Sequence, residues 1–296
     1  MSWHEIPLVF DCEGSRLVGI IAQPDHPAET GVVIVVGGPQ YRAGSHRQFT
    51  LLARQLAGEG IASIRFDYRG MGDSEGDMRN FENIDMDVRT AIDNLMTHVP
   101  QIKQVTLWGL CDAASAVLYY GHTDPRVKGL VLLNPWVHTE AGAARSRIKH
   151  YYLARLLSKA FWAKLFTGKV KMGASIAELA DSARKAREPQ TMATAIPSDP
   201  RHGSPGYIER MRKSMQKYTG KVMIILSGND LTAQEFLDLV KNDKQWNILN
   251  NRSQVQHAYL SDANHTFSAN TWRKKVGELS SRWVVENLTQ NERPVR

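Results

Sequence analysis

The fold of this 296-residue chain is decided by one stretch, Leu107-Trp108-Gly109-Leu110-Cys111-Asp112-Ala113. The residues before Cys111 are apolar and typical of a strand, whereas the Ala-rich residues after it are typical of a helix. The small residues Gly109 and Ala113 flank Cys111 two positions away on either side. Small residues there let a strand and the next helix pass close together around a strained turn. The pattern predicts a strand–turn–helix unit that presents Cys111 at the end of a strand.

Apolar runs of this kind recur along the chain and alternate with helical patterns. Strands are predicted at residues 32–36, 62–66, 105–108, 127–133, 222–226 and 257–260, and helices at 47–58, 83–97, 111–120 and 276–288. Continuous apolar strands separated by helices indicate an α/β fold, a mostly parallel, doubly wound sheet covered on both faces. The first thirty residues instead predict an antiparallel hairpin at the sheet edge, because Glu13-Gly14-Ser15 separates two apolar runs.

One segment interrupts this alternation. Residues 139–218 contain helical patterns without a clear strand, which predicts a helical lid inserted into a core made of 1–138 and 219–296. Residues 139–221 hold 17 Lys and Arg against 6 Asp and Glu, a net charge of +11, while the remainder carries −4. This asymmetry suggests an anionic partner, either a carrier or a membrane surface, and ordinary lid packing is the alternative. Nucleic acid is not expected, because the chain lacks the usual binding motifs.

Composition bounds the class of protein. With 42% hydrophobic and 23% charged residues, the chain is typical of a globular protein. No secretory signal is visible at the start, and Cys12 and Cys111 are too distant for a disulfide framework, so we expect a cytoplasmic protein. No phosphate-binding loop or zinc motif occurs, so neither a metal nor a cofactor is expected. The oligomeric state is left open.

Candidate catalytic residues follow three of the predicted strands, in the order Cys111, Asp230, His265. Nucleophile, acid and histidine appear in this chain order in α/β-hydrolases and not in chymotrypsin-like or subtilisin-like enzymes. His265 would deprotonate Cys111, and Asp230 would orient His265. The alternatives are a buried core cysteine, a helix cap and an ordinary loop histidine. Asp262 is also near His265 in sequence, but we expect it to cap a loop.

The segment Gly37-Gly38-Pro39-Gln40-Tyr41 is where backbone N–H groups would stabilise a developing oxyanion. We expect the amides of Gly38 and Asp112 to form this oxyanion hole, with help from the Gln40 side chain, although a plain tight turn has the same sequence. Arg42, His46 and Arg47 are candidates for holding an anionic substrate group or, alternatively, lie on a solvated helix face. The helix amino-terminus at Cys111 is expected to lower the pKa of its thiol.

These motifs resemble those of the α/β-hydrolase superfamily over almost the whole chain, including the loop from Asp67 to Gly76. The narrower resemblance is to the hydrolase 1 family associated with the exosortase A system, and three segments carry it: 37–42, 44–49 and 109–114. Its members accompany bacterial exosortase and exopolysaccharide systems, which implies a cytoplasmic hydrolase. The cysteine nucleophile also resembles that of dienelactone hydrolase, a smaller enzyme without a lid.

The expected activity is hydrolysis of a carboxylic ester or thioester of a small acyl molecule through an acyl-Cys111 intermediate. Acyl transfer to a sugar or other hydroxyl would use the same residues in a drier pocket. A non-catalytic ligand-binding or scaffold protein with the same fold is the third possibility. The presence of all three candidate catalytic residues in the expected chain order argues against a non-catalytic protein, because a binding module needs no nucleophile, base and acid.

Overall fold

A computed structural model describes residues 2–38, 40–138 and 204–289, and they contain an eight-stranded sheet. The order across the sheet is β1-β2-β4-β3-β5-β6-β7-β8. The strands are β1 (Trp3–Cys12), β2 (Ser15–Pro24), β3 (Thr30–Val35), β4 (Ser63–Phe66), β5 (Gln104–Leu110), β6 (Val127–Leu133), β7 (Lys221–Asn229) and β8 (Val255–Asn264). The β1–β2 and β2–β4 pairs are antiparallel and all other pairs are parallel. The predicted mostly parallel sheet with an antiparallel amino-terminal edge is confirmed.

Helices cover both faces of this sheet. In the described residues they are α1 (Gln48–Gly58), α2 (Asp85–His98), α3 (Asp112–Gly121), α4 (Tyr207–Lys217), α5 (Leu231–Asn242), α6 (Lys244–Asn250) and α7 (Asn270–Leu288). Helices α1 and α7 pack together over a core that includes Ile34, Trp108 and Val131, while α2 and α4 both contact α3. None of these helices is both long and apolar enough to cross a bilayer.

The four strands β5, β6, β7 and β8 are neighbours and run in parallel, so their carboxyl ends meet at one edge of the sheet. The N–H of Cys111 donates to the carbonyl of Leu133 at the end of β6 (2.9 Å), and the N–H of Asn134 donates to the carbonyl of Ile225 in β7 (3.1 Å). These two bonds continue the hydrogen-bond pattern of the parallel sheet beyond the ends of β5 and β6. They fix the turn at Cys111 relative to the two neighbouring strand ends.

Helix α4 lies within the predicted insertion but packs on the core. The ring of Tyr207 meets that of Phe81 edge-on at 5.7 Å, and the hydroxyl of Tyr119 in α3 donates to the Tyr207 carbonyl (2.5 Å). Arg210 forms an ion pair with Glu82. Residues 204–218 are therefore attached to the α3 side of the sheet. The rest of the predicted insertion, residues 139–203, lies outside the described residues.

Candidate active site

The turn between β5 and α3 has the backbone of a strained elbow. Cys111 has a φ of 63° and a ψ of −124°, a region that non-glycine residues rarely occupy. Gly109 is required by packing, because a Cβ there would lie 2.6 Å from the backbone carbonyl of Ala113. This is the close passage of strand and helix that the two small residues predict. The thiol is half-buried at the start of α3.

Asp230 and His265 are hydrogen-bonded to each other. The Nδ1–H of His265 donates to Oδ2 of Asp230 at 2.8 Å, and the Asp230 side chain is 6% exposed. Asp230 also caps α5, accepting bonds from the N–H groups of Thr232 (3.1 Å) and Ala233 (3.2 Å). The cap and the histidine partner are thus one residue. The bond at Nδ1 leaves Nε2 of His265 as the nitrogen available for proton transfer.

Asp262 does not take part in this pair. Its side chain is exposed and accepts a hydrogen bond from the hydroxyl of Ser261 (3.2 Å). Although Asp262 is only three residues from His265 in the sequence, β8 continues to Asn264 and carries Asp262 on its exposed side. Asp230 is therefore the carboxylate that orients His265 in this structure.

Asn134 ties the histidine loop to the sheet, which the sequence did not reveal. Its side-chain amide donates to the Ser227 hydroxyl (2.8 Å) and to the His265 carbonyl (3.2 Å), and its oxygen accepts from the Ser227 N–H (2.9 Å). Asn134 is fully buried and has a φ of 44°. Asparagine tolerates this left-handed conformation better than most residues. The signal in the sequence is the Asn-Pro pair directly after β6.

The structure brings Gly38 and Asp112 together, as predicted, but through a side chain. The Gly38 N–H donates to both carboxylate oxygens of Asp112, at 2.7 and 2.9 Å, and the Ala113 N–H donates to the same carboxylate at 3.0 Å. Gly38 has a φ of 59°, which glycine adopts without strain. The neighbouring Pro39 lies outside the described residues. The Gly38 amide, which was expected to face a substrate, therefore faces a carboxylate in this structure.

The family to which this fold and site belong follows from comparison with known proteins. The family model described as serine aminopeptidase, S33, matches residues 27–262. The chain belongs to this S33 family. The matched range includes Cys111 and Asp230 and ends just before His265, at the end of the sheet.

Solved structures show that this S33 member has the α/β-hydrolase fold. Esterase Pf2001 of Pyrococcus furiosus aligns with a TM-score of 0.62 and 11% identity, covering 97% of this chain and 92% of that one. Est1E of Butyrivibrio proteoclasticus, with ferulic acid bound, gives 0.60 and 16%, covering 95% and 99%. The polyketide transferase grgF of a Penicillium species is 28% identical over 102 residues, 32% of this chain and 33% of that protein. That match spans about a third of the relative's length.

The S33 description names a serine, whereas this S33 member has Cys111 at the elbow. Burial raises the pKa of the Cys111 thiol, and the carboxylates of Asp112 and Asp230 raise it further. A hydrogen bond from the backbone of Asp112 acts in the opposite direction and is outweighed. The prediction of a lowered thiol pKa is therefore wrong for this structure, because desolvation and two nearby negative charges exceed the effect of the helix amino-terminus. These influences favour the thiol over the thiolate in the free protein.

Two of the predicted substrate-binding residues hold the chain itself. The Arg42 guanidinium pairs with Asp67 and with Asp73 (2.7 Å). The backbone N–H of Arg42 also donates to the Asp67 carboxylate at 2.5 Å. Oε1 of Gln40 accepts bonds from the Ser45 N–H (3.0 Å) and the Gln48 side chain (3.2 Å). Both residues fasten the segment between β3 and α1. The Arg42 guanidinium is thus already paired with two carboxylates of the chain, and its role in substrate binding stays a prediction.

His46 and Arg47 remain candidates for substrate binding. Both side chains are exposed, and both residues have a left-handed backbone, with φ of 53° and 58°. Two consecutive non-glycine residues in that region are uncommon and mark a constrained loop just before α1. For metals, the described part of the chain contains no cluster of His, Cys, Asp and Glu able to hold an ion.

Proposed function

We propose that this S33-family hydrolase is a cysteine enzyme that cleaves a carboxylic ester or thioester through an acyl-Cys111 intermediate. The observation that carries the proposal is the 2.8 Å bond between His265 and Asp230, at the same sheet edge as the strained elbow of Cys111. A nucleophile on a strained turn, near a base oriented by a carboxylate, is the arrangement used for acyl transfer.

The reaction proceeds in two balanced halves. In the first, Sγ of Cys111 bonds to the substrate carbonyl carbon and its proton passes to Nε2 of His265; the bond to the alcohol or thiol then breaks, and the leaving group takes that proton. In the second half, His265 removes a proton from water, which attacks the thioester and releases the acid and the Cys111 thiol. Asp230 stays ionised and stabilises the imidazolium that forms in each half.

Acyl transfer to a hydroxyl is the second candidate function. The polyketide transferase that resembles about a third of this chain carries a transferase name, which favours keeping this alternative. A sugar or other alcohol would replace water in the second half, using the same three side chains. The products distinguish the two functions: a free acid from hydrolysis, an ester from transfer.

We further propose a cytoplasmic setting linked to exosortase and exopolysaccharide systems. The support is the resemblance of segments 37–42, 44–49 and 109–114 to the exosortase-associated hydrolase family, and the two cysteines, Cys12 and Cys111, which are both free. An acyl group carried into surface polysaccharide, or removed from it before export, fits either candidate reaction.

The test is intact-mass spectrometry of the protein after brief incubation with a panel of acyl esters and acyl thioesters. Wild-type protein should gain the mass of one acyl group, and Cys111→Ala should gain none. Cys111→Ser is the matched variant, because it keeps a nucleophile of similar size at the elbow. A mass gain that persists in Cys111→Ala would contradict the proposal, and no gain with any substrate would favour the non-catalytic alternative.

A further inference from the structure

The Asp112 side chain occupies the position that a substrate oxyanion would need. Its carboxylate accepts bonds from the N–H groups of Gly38 (2.7 and 2.9 Å) and Ala113 (3.0 Å). Of the two amides expected to form the oxyanion hole, that of Gly38 is therefore engaged by an anionic group of the protein.

This contact is packed rather than loose. Asp112 is 9% exposed, and a Cβ on Gly37 would lie 2.5 Å from its Oδ1. A carboxylate oxygen resembles the oxyanion of a tetrahedral intermediate in charge, whereas the carbonyl oxygen of a bound substrate is neutral and a weaker acceptor. A substrate must therefore displace the Asp112 side chain before the Gly38 amide can stabilise its transition state.

We propose that Asp112 is a specificity-determining residue: its carboxylate closes the oxyanion hole of the free enzyme against acyl substrates whose leaving group is too small to displace it. The inference rests on the proposed function, because it concerns the same thiol and the same acyl transfer. Displacement costs free energy, and contacts remote from the scissile bond are what supply it. The favoured substrates are acyl esters or thioesters of a large leaving group or carrier.

The first experiment compares two variants on a small ester, p-nitrophenyl butyrate. Asp112→Ala empties the hole and should raise kcat/KM by about tenfold or more. Asp112→Asn keeps an oxygen of the same size against the Gly38 N–H, so its gain should be clearly smaller. Both variants keep the Asp112 backbone N–H, and circular dichroism checks that both remain folded.

The second experiment holds the acyl group and the thioester constant and changes only the leaving group. Wild-type enzyme should prefer butyryl-coenzyme A to S-butyryl-N-acetylcysteamine by about tenfold or more in kcat/KM, because the truncated substrate lacks remote contacts. In Asp112→Ala this preference should largely disappear, because kcat/KM for the truncated substrate rises. A preference that stays unchanged in Asp112→Ala would overturn the proposal.

Loss of the Asp112 charge also makes the Cys111 thiol more acidic, so that effect needs its own control. Alkylation by iodoacetamide requires the thiolate but no oxyanion hole. Asp112→Ala and Asp112→Asn should speed alkylation by similar factors, while the ester gain of Asp112→Ala should exceed its alkylation gain. Equal gains in the two reactions, or a loss of ester activity in Asp112→Ala, would overturn the proposal.

A final measurement does not depend on turnover. Butanal adds to the Cys111 thiol to form a hemithioacetal, in which the new C–S bond forms and the thiol proton moves to the former carbonyl oxygen. That oxygen needs the same hole, so Asp112→Ala should bind butanal about tenfold more tightly than wild type. Equal affinities would overturn the role of Asp112. Ester turnover that survives in the Cys111→Ala, Asp112→Ala double variant would instead overturn the proposed function.

Discussion

At the scale of single residues, the site is a set of opposing influences on Cys111. The start of α3 favours the thiolate, but burial and the carboxylates of Asp112 and Asp230 favour the thiol. In the proposed mechanism a protonated thiol requires a base in the catalytic step, and His265, bonded to Asp230, would take that role. The proposed nucleophile would then be activated during the reaction rather than before it.

Cys111 should be alkylated by iodoacetamide before Cys12. Cys12 is 2% exposed and burial also raises its pKa, whereas Cys111 is only half-buried. Because the pKa of Cys111 is raised, its labelling rate should increase about tenfold per pH unit from about pH 7 to pH 9. Peptide mass spectrometry measures both sites. Equal labelling, or faster labelling of Cys12, would remove Cys111 from the role of nucleophile.

Asp230→Asn should lower kcat strongly while the fold persists. Asparagine caps helices about as well as aspartate, so α5 keeps its cap, but the variant no longer stabilises the imidazolium of His265. We expect a loss of about 10³- to 10⁴-fold, and no further loss on adding His265→Ala, since the residues act as a unit.

Asp243→Asn is the matched control for that variant. Asp243 caps α6 in the same way, accepting bonds from the N–H groups of Gln245 (2.8 Å) and Trp246 (3.0 Å), but it has no histidine partner among the catalytic residues. Its activity should stay close to that of wild type. If Asp230→Asn were as active as Asp243→Asn, the acid role would belong to another carboxylate, and Asp262 would be the first to examine.

At the scale of elements, the loop after β4 is held by a buried ion pair. The Arg69 guanidinium donates to Asp87 in α2 at 2.8, 3.1 and 3.2 Å, and the side chains are 4% and 0% exposed. The Arg69 N–H adds a further bond to Asp87 at 2.8 Å. Arg42, next to the predicted oxyanion segment, pairs with Asp67 in the same loop. The loop after β4 therefore holds in place the segment between β3 and α1, which contains the predicted oxyanion residue Gly38.

Arg69→Met should destabilise the fold by about 3–5 kcal/mol, because Asp87 would be left as an unpaired buried charge. Urea unfolding measures the change in the free energy of unfolding. Arg16→Gln is the control: Arg16 pairs with Glu75 on the surface, so its loss should leave the free energy of unfolding nearly unchanged. Similar small losses in both variants would mean that the Arg69–Asp87 pair is effectively solvated.

At the scale of the whole molecule, charge is divided unevenly. Residues 139–221 carry +11 and the remainder −4. Most of that basic segment, residues 139–203, lies outside the described residues, so its role stays a prediction from the sequence. A basic segment together with an oxyanion hole that resists small substrates fits an acyl group delivered on a large anionic partner.

The kcat/KM for an anionic acyl-coenzyme A should fall as salt rises from about 20 to 200 mM, because screening weakens electrostatic steering. A small neutral ester gains nothing from steering and should respond little. Lys159→Gln with Lys164→Gln, in the basic segment, should reproduce the fall and flatten the remaining salt dependence.

The control for that prediction removes the same charge elsewhere. Lys103 precedes β5 and Lys128 lies near the start of β6, at the opposite end of the sheet from the site. Replacing both by Gln should leave the salt response intact. The same salt response for the anionic and neutral substrates would mean that the basic segment is an ordinary solvated surface.

The sequence by itself determined the sheet, its antiparallel edge and the elbow. These features depend on a few neighbouring positions: apolar runs, glycine-rich turns and the small residues around Cys111. They can therefore be recognised in the sequence alone. The predicted helices did not include α5 and α6, and some limits differ: α7 begins at Asn270 instead of residue 276, and β8 spans Val255–Asn264 instead of only 257–260. The order of Cys111, Asp230 and His265 likewise needed no coordinates.

Other contacts between side chains were decided only by the tertiary structure. It gives Asn134 its bond to the His265 loop and commits Arg42 to Asp67, and it supplies the 2.8 Å distance between His265 and the predicted Asp230. It also places the Asp112 carboxylate on the Gly38 N–H and raises the pKa of Cys111. Such contacts join residues far apart in the chain, and their strength depends on burial. Local sequence patterns carry neither the distance between two side chains nor the amount of water removed from around them.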